Sequence, residues 1–122
     1  MRKPAKLITA ASAVAAMLGA LTVSAPVLAA DAAVIAEGKK IVEDRRLGNC
    51  LACHMIEGAD MPGTIGPPLV AMKARFPDKA KLRAQIWDAT KANANSMMPP
   101  FGKHRILTED QIDKVVEYIY TL

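Results

Sequence analysis

Apolar residues recur at helical spacing in three stretches of the chain and nowhere alternate as along a strand, which predicts an all-α fold in one domain. From Ala33 to about Arg45, Val34, Ile35, Ile41 and Val42 stand among charges, the pattern of an amphipathic helix with Gly38 in its interior. An interior glycine weakens a helix by roughly 1 kcal/mol relative to alanine, so Gly38 marks either an accident or a close approach by a neighbour. The C-terminus offers that neighbour. Thr108-Glu109-Asp110-Gln111 is a capping-box pattern, and Ile112, Val115, Val116 and Ile119 form one stripe behind it. Between the two, Asp78 is placed to cap a helix from about Lys79 to Lys91, with Leu82, Ile86 and Ala89 on one side and Trp87 beside them. Trp87 reads first as core filling and second as an indole donor to a polar group of a bound molecule. The stretches Gly58 to Pro68 and Asn93 to Gly102, rich in Gly, Pro, Asn and Ser, read as loops.

The N-terminus does not belong to this framework. Arg2, Lys3 and Lys6 precede an uncharged run from Leu7 to Ala30 that ends in Val27-Leu28-Ala29-Ala30, the layout of a cleaved export signal. Residues 1–29 are therefore expected to be a signal peptide and residues 30–122 the mature domain; the competing reading is an uncleaved membrane anchor. Ala, Ser, Thr and Gly in the run favour cleavage, and with it a periplasmic protein that does not stay in the membrane. The whole chain carries 16 Lys and Arg against 12 Asp and Glu, a formal +4. Three of those cations leave with the leader, so the mature charge is close to balance and no nucleic-acid footprint is expected. A mature chain of roughly 90 residues buries only about two-thirds of the surface its unfolded state exposes. With Phe76, Trp87, Phe101, Tyr118 and Tyr120 as its only aromatics, the core looks thin enough to need a cofactor.

The candidate for that cofactor lies in Cys50-Leu51-Ala52-Cys53-His54. A disulfide across two intervening residues closes too small a loop to stabilise much. A thiol-disulfide motif belongs near a βαβ pattern, which is absent, and a zinc site needs two further ligands where His104 is the only other histidine. Cys-x-x-Cys-His is instead the attachment signature of a c-type haem, in which each thiol adds to a vinyl group and the histidine reaches the iron. One haem c held covalently by Cys50 and Cys53, with His54 as axial ligand, is the expectation. For the sixth position the mature chain offers Met55, Met61, Met72, Met97, Met98 and His104. Met55 and Met61 lie too close to the motif to reach the far face of a macrocycle. Met98 directly precedes Pro99-Pro100, which hold its backbone extended so that a loop can present the sulfur. Met98 is therefore the expected ligand, with Met97 second and His104 third. A His/Met pair closes both axial positions, raises the reduction potential and implies electron transfer.

The haem motif, Gly66-Pro67-Pro68-Leu69, the Met-Pro loop and a closing C-terminal helix together resemble a class I cytochrome c. That resemblance implies helices wrapped around one covalent haem, a hydrogen bond from the haem-ligating histidine to the carbonyl of Pro67, and packing of Leu69 on the haem. A narrower resemblance covers nearly all of the mature chain. Gly48-Asn49-Cys50-Leu51-Ala52-Cys53-His54, Ile65-Gly66-Pro67-Pro68-Leu69, Arg75-Phe76-Pro77-Asp78 and Met98-Pro99-Pro100-Phe101-Gly102-Lys103-His104 look like the SoxX family, small monohaem subunits of the SoxAX cytochrome of bacterial sulfur oxidation. The Met-Pro-Pro-Phe-Gly-basic-His string is the most specific of these.

The resemblance implies a periplasmic heterodimer with SoxA, which carries its own haem and a reactive cysteine. The complex, an L-cysteine S-thiosulfotransferase, oxidatively joins thiosulfate to a cysteine of the SoxYZ carrier and releases two electrons. This chain would add no substrate-binding cysteine and no catalytic residue; it would pass electrons from SoxA to an accepting cytochrome c. Phe101 and Ile106 are candidates for the subunit interface, with core packing as the competing reading. The rival functions are a free-standing periplasmic electron shuttle and a haem sensor with a labile sixth ligand.

Overall fold

The computed structural model describes residues 25–122 as backbone and residues 31–122 with side chains. The signal-peptide expectation for residues 1–29 falls almost wholly outside them. Among the described residues four α-helices follow in order: α1, Ala25–Glu43; α2, Met72–Arg75; α3, Lys79–Trp87; and α4, Glu109–Ile119. Two short 3-10 turns, Cys50–Ala52 and Ala89–Lys91, complete the regular structure, and no strand occurs among the described residues. None of these helices is long and apolar enough to cross a membrane.

Helix α4 forms for the reasons its sequence advertises. The Thr108 hydroxyl accepts from the Gln111 N–H at 3.2 Å, and the Gln111 side chain accepts from the Thr108 N–H at 3.0 Å, so two of the helix's free donors are satisfied. Glu109 and Asp110 add negative charge at its positive end. The predicted stripe of Ile112, Val115, Val116 and Ile119 is buried throughout. Helix α1 extends further toward the N-terminus than its predicted start at Ala33, and Ile41 and Val42 are buried against α4 in the core cluster.

The two terminal helices cross at Gly38, as its position anticipated. A Cβ there would collide with the Lys114 carbonyl and come within 3.0 Å of Tyr118 Cβ. The Lys114 side chain continues the contact, its ammonium 2.8 Å from both Glu37 on α1 and Asp110 on α4. Helix α3 is tied to α4 by Lys79–Glu117 at 2.9 Å and Arg83–Asp113 at 2.6 Å, pairs exposed enough to fix geometry more than stability.

The middle helix differs from its expectation. Asp78 caps α3 as predicted, accepting from the Ala80 N–H at 2.9 Å, but the helix ends at Trp87 rather than Lys91. Asp88 breaks it. Its backbone leaves the helical region at φ −154°, and its carboxylate turns to accept from the Thr90 N–H at 3.1 Å and from the Thr90 hydroxyl, starting the Ala89–Lys91 turn. Asp88 is also the one buried charged residue among those described, and Lys103 pairs with it at 3.2 Å. Helix α2 was not anticipated. It starts from Ala71 in the left-handed region, without a side-chain cap, and is held by the Met72 N–H donating to the Leu122 carbonyl at 2.8 Å.

Two outcomes follow. Gly38→Ala gains helix propensity but drives a methyl into backbone that cannot yield, so holoprotein stability in urea should fall by about 1–2 kcal/mol; a rise would contradict the crossing. At Asp88, the Thr90 hydroxyl, and after it Lys103, outweigh burial and hold the carboxyl below the usual carboxylate range. A depressed carboxyl contributes stability that is present above its unfolded pKa, about 3.9, and lost as pH falls through the folded value. Asp88→Asn should therefore be less stable at neutral pH, and its denaturation midpoint should change less than wild type on acidification below pH ~4.

Candidate functional site

The core residues are arranged around a cleft of about 830 Å³. Leu69, Met72, Leu82, Ile86, Phe101 and Leu107 are all buried and all border it. Cys50, Cys53 and His54 enter from one segment of the chain, Gly66, Pro67 and Leu69 from a second, and Met98 from a third.

The first segment is a tight turn. Asn49 adopts a left-handed conformation at φ 47°, the 3-10 turn follows, and the Cys53 and His54 N–H groups both donate to the Cys50 carbonyl, at 3.2 and 2.9 Å. Such a turn brings the two cysteines and the histidine to the same cleft. Cys50 and Cys53 are not bridged to each other. Burial, with Cys53 adding to it, pushes the Cys50 thiol up to about 11. Among the described residues no three His, Cys, Asp or Glu side chains are grouped to hold a metal ion.

The second segment runs alongside the first, joined by the Gly66 N–H donating to the Cys53 carbonyl and the Leu69 N–H to the Met55 carbonyl, each at 2.8 Å. It fixes the histidine. His54 Nδ1 lies 2.7 Å from the Pro67 carbonyl oxygen. A carbonyl can only accept, so Nδ1 carries the proton and Nε2 keeps its lone pair, the form that ligates a metal. Gly66 makes the approach possible, because a Cβ there would lie 2.5 Å from His54 Cε1 and 2.7 Å from Nδ1. The Pro67 contact expected from the resemblance is thus present in the geometry, and Leu69 is buried at the cleft wall.

The third segment separates the methionines. Met98 is half-buried, packs against the core and borders the cleft. Met97 also reaches the rim but is 82% exposed, while Met61 is 85% exposed; Met55 and Met61 lie away from the cleft, as does His104. Met72 is the sulfur that the sequence pattern did not single out. It is 2% exposed at the cleft, with the Arg75 guanidinium 3.5 Å from its sulfur. It stands among the candidate sulfurs without a motif to favour it, and the fold is what places it at the cleft.

One expectation changes and one reading stands. Phe101 is buried in the core, so its packing role stands and it offers no free surface to a partner, whereas Ile106 is 44% exposed at the cleft rim. Trp87 packs against the core, its indole against the Gly102 backbone and the Arg83 guanidinium 5.4 Å from the ring centroid, in keeping with the core-filling reading.

A family model described as Cytochrome c matches residues 35–122, so the chain belongs to the cytochrome c family. A solved structure described as SoxXA from P. pantotrophus is similar to it at 31% identity and a TM-score of 0.64, over 70% of this chain and 79% of that one. This makes the chain a SoxX-like member with the all-α class I fold. No curated protein matches the sequence. Membership implies a covalent haem c, and the residues present fit it. The Cys-x-x-Cys-His run, an imidazole held in the ligating tautomer and an apolar cleft bordered by core side chains are its requirements.

Gly66→Ala should push the His54 ring off the Pro67 carbonyl. The expected result is a lower yield of haem-loaded protein and a shifted midpoint potential in redox titration. An unchanged potential would show that this contact does not set the ligand's basicity.

Proposed function

We propose that this chain is a monohaem electron-transfer subunit working with a SoxA partner in the periplasm. The similarity to SoxXA at 31% identity, over most of both chains, carries this reading. The Met98–His104 string supports it from the sequence. Export is expected from residues 1–29, with cleavage near Ala29.

In this reading Cys50 and Cys53 would hold one haem covalently, and His54 and Met98 would be the side chains that ligate its iron. The bound haem supplies a one-electron couple. The residues of the chain do the rest. The Pro67 carbonyl holds the Nδ1 proton of His54 and so keeps Nε2 basic toward the iron. Leu69, Met72, Leu82, Ile86, Phe101 and Leu107 exclude water from the cleft, and the half-buried Met98 offers a soft sulfur that favours the reduced state. With both cysteines used in attachment, the chain has no thiol left for substrate. The reactive cysteine would belong to SoxA, thiosulfate would be joined to the SoxYZ carrier, and electrons would leave through this subunit to an accepting cytochrome c.

Two experiments test the reading. In the oxidised holoprotein, Met98→Ala should abolish the red-region sulfur-to-iron charge-transfer band and Met97→Ala should leave it; a band that survives in Met98→Ala refutes the assignment. Size-exclusion chromatography of periplasmic extract from thiosulfate-grown cells, followed by haem absorbance, should show this chain eluting with a larger haem protein that bears a modified cysteine. Elution alone at monomer size, without thiosulfate-dependent reduction, would make it a free electron shuttle.

A further inference from the structure

The loop that carries Met98 is rooted at one point of the fold. Pro99 and Pro100 stiffen it, and immediately beyond them the Gly102 and Lys103 N–H groups both donate to the Trp87 carbonyl, at 3.1 and 3.3 Å. The Trp87 indole lies flat enough against Gly102 that a side chain there would strike the ring. The next residue completes the root. The Asp88 carboxylate, 2% exposed, is aimed by the Thr90 N–H and hydroxyl and takes the Lys103 ammonium at 3.2 Å. Two consecutive residues at the end of α3 thus grip two consecutive residues of the loop, once through backbone and once through a charge pair.

Resting on Met98 as the axial ligand, we propose that the Asp88–Lys103 pair is a positioning clamp that sets how firmly Met98 stays at its place over the cleft. Neither residue borders the cleft, so neither touches a bound group, and the effect passes through the loop. The buried carboxylate makes the pair more than a surface decoration. Asp88 gives up its water on folding, and Thr90 and Lys103 replace it. Without Lys103 the carboxylate is left short of a partner and the loop loses its charged tether. Met98 then spends more time away from its position, and an external base competes for it more easily.

The test uses the ferric holoprotein and imidazole as the competing base, measured by optical titration at a temperature where every variant is folded. Lys103→Gln and Asp88→Asn should bind imidazole at least about fivefold more tightly than wild type, within the usual range of coupling between sites. Lys103→Arg, which keeps the charge, should restore wild-type affinity. Ile112→Val, a core change away from the cleft, should lower stability without changing imidazole affinity. Wild-type affinity in both Lys103→Gln and Asp88→Asn overturns the clamp, as does an equal tightening in Ile112→Val. Met98→Ala separates this failure from that of the underlying reading. It should bind imidazole most tightly of all, and if it binds no better than wild type, Met98 is not the group displaced and the ligand assignment falls together with the clamp.

Discussion

The structure depends on a core that closes around a cleft. Leu69, Met72, Leu82, Ile86, Phe101 and Leu107 come from four separate parts of the chain, are buried, and border the same space of about 830 Å³. A domain this small has little apolar surface to spare, and an apolar cleft among its best-buried residues forfeits dispersion contacts that a filled core would have. A flat, apolar, covalently held group restores them. The family's cofactor would therefore add to the fold's stability as well as supply its chemistry, and the side chains bordering the cleft would shield it from water.

Around that cleft the scaffold divides its tasks. The α1–α4 crossing is a pure packing device, made by removing a side chain at Gly38 so that backbone meets backbone at Lys114. The attachment turn and the Gly66–Leu69 segment form a second unit, whose product is a histidine with a defined tautomer. The Met98 loop is a third, rooted through Trp87 and Asp88 at the end of α3. His54 is held through a short backbone contact and Met98 through a longer lever, so the two side chains differ in how readily they can be perturbed.

The parts legible in the sequence were those written locally. The capping box and stripe of α4, the Asp78 cap and the Cys-x-x-Cys-His run each lie within a few residues, where spacing maps directly onto geometry. The break at Asp88 was not legible, because an aspartate inside a helical pattern reads as a solvated position until Thr90 and Lys103 are known to converge on it. Helix α2 has no capping side chain and begins from a left-handed alanine, so it left no signal. Met72 reaches the cleft only because that helix exists. The Pro67 contact was expected from family resemblance alone, since nothing in a Gly-Pro-Pro turn announces which carbonyl will face a histidine.

Intact-mass measurement of the mature protein, purified from cells able to attach haem, tests the central claim most directly, with peptide mapping across Cys50 and Cys53. The account predicts a chain beginning near Ala30 that carries the mass of one haem through denaturation, localised to the peptide containing both cysteines. A polypeptide that loses its colour on denaturation and shows two unmodified thiols would contradict it.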